Sequence, residues 1–380
     1  MRRLMVAGVV LALTLGSEGT LGADGVPAAT GAFGPAGSLA EARTEHTATA
    51  LADGRVLVVG GAAVTVVDGS LNVEVLASAE VWDAATGAFS PTGSLTEKRI
   101  GNTATALADG RVLVVGGWGD EDGILSSAEV WDAAAGRFSP TGSLTEARTE
   151  HTATALPDGR VLVLGGYNDD STLASTEIWN PATVTFDPTG SLAEARTEHT
   201  ATALADGRVL VVGGTGDDSA GFGPLASAEV WDPATGTFSP TGSLTGVRRG
   251  HRATALPDGR VLVVGGFTET EPLASAEVWD PATGTFSPTG SLAEERVQHT
   301  ASALPDGRVI VVGGYNDDST PASAAVWDPV TGTFSSTGSL AEARFQHTAT
   351  ALLDGRVLVV GGTTVYGPFA SAEVWEPDDG

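Results

Sequence analysis

The feature that most constrains this chain is a short apolar segment that recurs seven times. The segment reads GRVLVVGG at residues 54–61, and its other copies, with at most one residue changed, begin at Gly110, Gly159, Gly207, Gly259, Gly307 and Gly355. One β-branched run closed by two glycines is too short to bury its own apolar surface. Seven such runs can fold together if each is one strand of a small sheet and the sheets pack around a common axis.

Each repeat contains four short strand patterns. In residues 196–244 these patterns are RTEHTATAL, RVLVV, SAEVW and TFSPTGSL, and Asp-Gly, Asp-Pro and Thr-Gly turns lie between them. Four short strands with such turns are typical of an antiparallel blade. The sequence therefore predicts an all-β chain that forms a seven-bladed β-propeller of four-stranded blades.

The spacing of the repeats places all length variation in one connection. From each third-strand tryptophan to the next double glycine there are 34 residues, whereas from the second glycine to the following tryptophan there are between 13 and 21. Insertions are tolerated in exposed loops. We therefore expect one face of the ring to carry variable loops, between strands two and three, and the other face to carry tight turns.

The two ends of the repeat region predict a closed ring. The last copy stops after its third strand, and residues 29–39 read as a fourth strand with no repeat before it. Pairing of these two segments would remove an exposed sheet edge. The expected organisation is a single propeller over residues 29–380.

These features resemble those of the kelch-repeat propellers. The resemblance is to a secreted kelch protein of bacterial type. The resemblance rests on the apolar run before a double glycine, on an aromatic pair seven residues apart such as Trp82 and Phe89, and on an Arg-x-x-His that opens every copy but one. The family usually has Tyr and then Trp at the aromatic pair, where this chain has Trp and then Phe. No BTB domain accompanies the repeats, so the ubiquitin-ligase adaptor role common in the family is not implied.

The N-terminus predicts export. Arg2 and Arg3 precede an apolar run over residues 4–15, and small residues follow near Ala23. This order is typical of a secretory signal peptide, here residues 1–23. The run is short for a membrane span, so we expect no membrane insertion and a secreted, periplasmic or cell-surface protein.

Charge and cysteine content exclude several classes of function. The net charge is −27 with a single lysine, which argues against nucleic acid as a partner and suits basic partners or divalent cations. The chain has no cysteine, which excludes disulfides, thiolate metal sites and cysteine nucleophiles.

Two residue types recur at the start of each inner strand. The six histidines stand three residues after an arginine, and we expect them to form hydrogen bonds rather than a metal centre, because residues on successive inner strands lie apart around a channel. The arginines are predicted at the channel mouth, where they form either an anion-binding collar or pairs with the glutamates that precede the tryptophan in every blade except blade six, which has Ala325. These arginines are Arg43, Arg99, Arg148, Arg196, Arg248, Arg296 and Arg344.

The variable loops carry the residues predicted to bind a partner. Carboxylates beside exposed aromatic rings suit a protein or a glycan, and a divalent cation stays open as a further ligand. A residue that recurs in every copy is explained by the blade, so no catalytic residue and no cofactor are assigned. We expect a monomeric binding or scaffolding protein, the alternative being a carbohydrate-active enzyme that uses carboxylates of the long loops. The predicted binding residues are Trp118, Asp120, Asp122, Tyr167, Asp169, Asp170, Asp217, Asp218, Tyr315, Asp317 and Asp318.

Overall fold

The computed structural model describes residues 31–67, 70–120, 123–218 and 221–378. Within these ranges every regular element is a β-strand. The signal peptide predicted at residues 1–23 lies outside the described residues. The strands are β1 Gly31–Ser38, β2 Thr47–Ala50, β3 Val56–Val59, β4 Ala62–Val67, β5 Ser70–Val75, β6 Ala79–Asp83, β7 Ala88–Pro91, β8 Thr103–Ala106, β9 Val112–Val115, β10 Trp118–Gly119, β11 Gly123–Ile124, β12 Ala128–Asp132, β13 Arg137–Pro140, β14 Thr152–Ala155, β15 Val161–Leu164, β16 Thr176–Asn180, β17 Thr185–Pro188, β18 Thr200–Ala203, β19 Val209–Val212, β20 Thr215–Asp218, β21 Gly221–Pro224, β22 Ala228–Asp232, β23 Thr237–Pro240, β24 Arg252–Ala255, β25 Val261–Val264, β26 Ala276–Asp280, β27 Thr285–Pro288, β28 Thr300–Ala303, β29 Val309–Val312, β30 Ala324–Asp328, β31 Thr333–Ser336, β32 Thr348–Ala351, β33 Val357–Val360, β34 Thr363–Thr364, β35 Gly367–Pro368 and β36 Ser371–Pro377.

These strands form seven antiparallel four-stranded blades arranged in a ring. In order of strands from the channel outward, blades one to six are β2-β3-β6-β7, β8-β9-β12-β13, β14-β15-β16-β17, β18-β19-β22-β23, β24-β25-β26-β27 and β28-β29-β30-β31. Each inner strand neighbours the inner strands of the two adjacent blades. The predicted seven-bladed propeller is confirmed.

The N-terminal strand closes the ring. Blade seven has the order β32-β33-β36-β1, so its outer strand comes from the start of the described chain. Phe33 lies opposite Trp375 in this pair, and the backbone amide of Gly338 donates to the carbonyl of Gly31 at 2.9 Å. The predicted docking of the first strand onto the last repeat is confirmed.

The apolar core lies between neighbouring blades. Val161 and Val163 of blade three pack with Val115 of blade two and with the ring of Trp179, and all of these side chains are fully buried. Leu162 and Leu164 face the opposite side, towards blade four. Because both faces of a blade are covered, its second strand is apolar at every position, as in buried parallel sheets.

The second glycine of each double glycine lets the segment that enters the blade lie close to the end of the second strand. Gly61 has a left-handed φ of 92°, and a Cβ there would lie 2.6 Å from the carbonyl oxygen of Thr44 and 2.9 Å from Cβ of His46. An L-residue with a side chain would be strained by the backbone angle and would also clash. The glycines thus set how close the inner strand lies to the second.

The variable connections stand on one face of the ring. Four of them form hairpins, namely β4–β5, β10–β11, β20–β21 and β34–β35. The hairpin predicted in blade one is confirmed, since Val67 pairs with Ser70. Its turn, at residues 68 and 69, lies outside the described residues. We call the side that carries these loops the variable-loop face.

Candidate functional site

Each blade has a buried arginine at the base of its variable loop. In blade three, the Arg148 guanidinium donates hydrogen bonds to the carbonyl oxygens of Gly165, at 2.9 Å, and Ser175, at 3.1 Å. These two residues begin and end the loop. The same two bonds occur in the other six blades. Each arginine therefore holds the two ends of its loop at a fixed separation, whatever the length of the loop.

The burial of these arginines excludes one of their two predicted roles, the anion-binding collar. The structure buries the guanidinium groups inside the blades, so they do not form an exposed anion-binding collar. Arg148 pairs with the Glu177 carboxylate at 3.3 Å, which also accepts a hydrogen bond from the Thr145 amide of the preceding blade at 3.0 Å. The alternative pairing with a glutamate before the tryptophan is confirmed in six blades, while blade six has Ala325 there. The buried arginines are Arg43, Arg99, Arg148, Arg196, Arg248, Arg296 and Arg344.

The histidines form hydrogen bonds between blades. The Nε2 of His199 lies 2.9 Å from the hydroxyl of Thr152 in the preceding blade, and four other histidines have the same partner type. Burial, followed by the charge of Arg196, lowers the pKa of His199 to about 3, so the imidazole is neutral. The predicted hydrogen-bonding role is confirmed for these five. Within the described part of the chain, no three His, Asp or Glu side chains come together as metal ligands.

The segments that enter the blades form a ring around the channel opening, which we call the mouth ring. The residue two positions after each buried arginine has a left-handed φ, between 52° and 60° in all seven blades. Such an angle costs a residue other than glycine about 1–2 kcal/mol. Strained positions of this kind concentrate at functional sites. The mouth-ring residues, from blade one to blade seven, are Glu45, Gly101, Glu150, Glu198, Gly250, Gln298 and Gln346.

The acidic part of the mouth ring lies in blades one, three and four. Loss of surrounding water raises the pKa of Glu150 to about 7, and the charges of Glu198 and Glu45 add to this effect. Its side chain still reaches solvent, so the carboxylate stays available to a ligand. Burial likewise raises the pKa of Glu45, and a hydrogen bond from the Gln346 amide, at 2.8 Å, opposes that rise.

A groove of about 910 Å³ opens beside this acidic part, between the loops of blades three, four and five. We call it the mouth groove. Two of its walls are aromatic, because Phe222 is 66% exposed and Tyr167 is 37% exposed. One cation lines it among the described residues: Arg249 donates to the Glu198 carboxylate at 2.8 Å and stacks over the ring of Phe267 at 5.1 Å. Its acidic lining residues are Glu150, Asp169, Asp170, Glu198 and Glu269.

The structure brings together three of the predicted binding residues. Tyr167, Asp169 and Asp170 all line the mouth groove. Their neighbours in the groove raise the pKa of the Tyr167 phenol to about 12, first by burial and then by the charge of Glu150. Asp217 and Asp218 lie on β20 at the edge of the same region, although their side chains are outside the described part.

The other predicted residues lie around the face without converging. Trp118 packs beside Ile100 in blade two, and Asp120 lies 4.0 Å from the single lysine, Lys98. Asp122 is outside the described residues. Tyr315 makes an edge-to-face contact with Phe345 at 5.2 Å. Asp317 and Asp318 are exposed in the same loop as Tyr315.

Several residues of the groove do not belong to the predicted set, and three of the charged ones lie outside the variable loops. Glu150, Glu198 and Arg249 lie in the constant-length segment that opens each inner strand. A signal for them is present in the sequence, because the two positions after each buried arginine vary from copy to copy while the arginine is kept. Variation inside an otherwise repeated segment marks positions that the blade itself does not require.

Comparison with known families identifies the fold. Residues 150–362 match a family model described as the KLHDC2/KLHL20/DRC7 Kelch-repeats domain. The chain therefore belongs to the kelch-repeat family, whose propellers generally serve as protein-interaction domains.

A solved structure of similar architecture is a fungal alcohol oxidase of the AA5 family in complex with copper. The TM-score is 0.72 at 18% sequence identity, and the match covers 91% of this chain and 76% of the oxidase chain. A likeness at this identity concerns the fold alone. The search of curated proteins found no match. Among the described residues, no helix has the length and hydropathy needed to span a membrane.

Proposed function

We propose that the chain is an exported, monomeric binding protein that holds a partner protein in the mouth groove by a basic segment of that partner. The observation that carries the proposal is the left-handed backbone at Glu150 and Glu198. Gly101 and Gly250 stand at the same position in blades two and five. Each carboxylate has one close side-chain partner within the protein, Thr197 for Glu150 at 3.0 Å and Arg249 for Glu198 at 2.8 Å, which leaves further acceptor positions for a ligand at these strained residues.

The chemistry of the groove supports a basic peptide as the ligand. Its carboxylates can pair with lysine or arginine, and the exposed rings of Tyr167 and Phe222 supply apolar and cation–π contacts to the same side chains. The overall charge of −27 favours approach of a basic partner over an acidic one. Export is supported by the N-terminal pattern of Arg2, Arg3 and the apolar run over residues 4–15.

A matched pair of double variants tests the proposal. Glu150→Gly with Glu198→Gly removes the carboxylates and the backbone strain, whereas Gln298→Gly with Gln346→Gly removes the same strain without a charge change. Both proteins should fold, because relief of the left-handed backbone offsets the loss of the Arg249–Glu198 pair in the first and of the Gln346–Glu45 hydrogen bond in the second. On an array of lysine- and arginine-containing peptides, we expect the first variant to lose at least tenfold in affinity and the second to bind normally.

Other outcomes would replace the proposal. Equal binding by both variants would refute the role of the groove. Binding on a glycan array that survives the glutamate changes would favour a glycan ligand, and turnover of glycosides would favour the carbohydrate-active alternative. Export is tested separately, by N-terminal sequencing of the protein recovered from the culture medium and by retention of a form that lacks residues 1–23.

A further inference from the structure

The first residue of one inner strand breaks the pattern of the other six. This residue is a threonine in six blades and Arg252 in blade five. In the other interfaces that contain a histidine, the threonine hydroxyl contacts Nε2 of the histidine in the next blade at 2.9–3.0 Å. Arg252 has only donors, and Nε2 of His299, the fully buried histidine at the same place in the next blade, has no hydrogen-bond partner among the described residues.

The Arg252 guanidinium also differs from the loop-base arginines in its ionic contacts. Among the described residues it makes no salt bridge, in contrast to the seven arginines of the loop bases, each of which has a carboxylate within 3.4 Å. Burial lowers the pKa of Arg252, and no acidic group opposes that effect. An arginine nevertheless stays protonated in a protein, so this half-buried side chain brings to the channel a positive charge that no described carboxylate balances.

The side chains around Arg252 do not supply that compensation. The charge of Arg252 acts on His251, His299 and His347, whose pKa values are lowered first by burial and then by nearby arginine charges. For His299, the Arg252 charge has the largest effect after burial. These imidazoles are therefore neutral, and His299 can offer an Nε2–H donor.

The mouth-ring residues of blade five, which contains Arg252, and of the next two blades also carry no carboxylate. Blades five, six and seven carry Gly250, Gln298 and Gln346, whereas the glutamates lie in blades one, three and four. The two mouth-ring glutamates that flank these blades both have partners: Glu198 of blade four pairs with Arg249 at 2.8 Å, and Glu45 of blade one accepts a hydrogen bond from Gln346 at 2.8 Å. An anion that enters beside blades five to seven therefore meets no glutamate of the mouth ring.

We propose that Arg252 and Nε2 of His299 form a site for a small oxyanion inside the central channel. The ligand is a carboxylate or an inorganic oxyanion such as phosphate, because a guanidinium binds the paired oxygens of either group. His299 donates the second hydrogen bond, which the missing threonine hydroxyl leaves unmade. This site lies below the mouth groove and does not depend on the function proposed for it.

The test uses Arg252→Thr, which restores the residue of the other six blades, and Arg252→Gln, which keeps length and removes charge. The control variant Arg249→Thr removes the neighbouring arginine, which lines the mouth groove. Thermal unfolding is followed in sodium acetate and sodium phosphate, each against sodium chloride at the same ionic strength. We expect acetate or phosphate at 10 mM to raise the Tm of the natural chain and of Arg249→Thr, and to leave both Arg252 variants unchanged.

Calorimetric titration with each anion then distinguishes the two sources. Binding of acetate at one site per chain identifies a carboxylate ligand, and binding of phosphate alone identifies an inorganic or phosphoryl ligand. Without either anion, Arg252→Thr should be more stable than the natural chain, because it removes the unpaired charge and restores the bond to His299. Equal Tm shifts in the natural chain and both Arg252 variants would overturn the proposal.

Discussion

Blade five offers the sharpest test of the arginine–glutamate pairs. In five blades the loop-base arginine has two carboxylate neighbours, the glutamate before the tryptophan and a second glutamate two residues before the arginine. In blade five, Gly246 replaces the second one, and Arg248 pairs with Glu277 alone, at 3.0 Å. The change Glu277→Ala therefore leaves a buried guanidinium without any carboxylate.

The structure sets the size of the expected effect. The side chains of Arg248 and Glu277 are each 2% exposed, and breaking a buried pair by removing one partner costs about 3–5 kcal/mol. Glu177→Ala in blade three is the matched control, because Arg148 keeps Glu146 at 3.7 Å. The Thr245 and Thr145 amides lose an acceptor in the same way in both variants. We expect the control to cost about 1–2 kcal/mol less, since its guanidinium keeps a partner.

A second change tests the cause directly. Gly246 has an ordinary φ, and open space surrounds its Cβ position, so Gly246→Glu should recover about 1 kcal/mol in the Glu277→Ala background. The free energy of unfolding is measured by urea denaturation at pH 7 for four proteins: the natural chain, Glu277→Ala, Glu177→Ala, and Glu277→Ala combined with Gly246→Glu. If Glu277→Ala costs no more than Glu177→Ala, or if Gly246→Glu recovers nothing, the reasoning from buried pairs is wrong.

Three further predictions concern blade six, the mouth ring and the double glycine. Ala325→Glu restores the missing partner of Arg296 and should raise the free energy of unfolding by about 1 kcal/mol; an unchanged urea midpoint would contradict this. The raised pKa of Glu150 means that the folded chain holds a proton that the unfolded chain releases, so this group lowers stability as pH rises from 4.5 to about 7. Glu150→Gln should therefore stabilise the chain at pH 8 and not at pH 4; the shift implies about 3 kcal/mol at most, and exposure of the side chain to water reduces this to about 1 kcal/mol. Equal effects of Glu150→Gln on stability at pH 4 and pH 8 would contradict this prediction. Gly61→Ala should cost at least 2 kcal/mol more than Gly54→Ala, because both glycines have a left-handed φ but only the Cβ of Gly61 meets other atoms; equal Tm values would exclude a packing role.

Most of the fold follows from the sequence because each local pattern occurs seven times. The apolar run before Gly60 and Gly61 predicts the second strand, and the constant distance from Trp82 to the next double glycine predicts one blade design. The pairing of Phe33 with Trp375 follows from counting the strands at the two ends. Such repetition removes the ambiguity between strand and helix that a single short apolar run would leave.

The candidate site follows from the sequence only in part. Tyr167, Asp169 and Asp170 are recognisable because they lie in a loop of variable length. The contribution of Glu150 and Arg249 depends on the curvature of the ring, which brings the entry segments of blades three and five to one groove. The burial of Arg148 depends on carbonyl oxygens that a sequence does not display. Charge patterns alone therefore do not distinguish a buried arginine that is hydrogen-bonded to carbonyl oxygens from an exposed one.

The arginine that fastens both ends of each variable loop has a consequence for how such a chain diversifies. An insertion of any length begins and ends at the same two carbonyl oxygens, so the sheet beneath it experiences no change in geometry. Seven insertions can therefore be exchanged, lengthened or shortened independently, and a new recognition surface can arise by recombination between copies without a new fold. The same property makes the seven loop positions natural points for grafting foreign peptide segments.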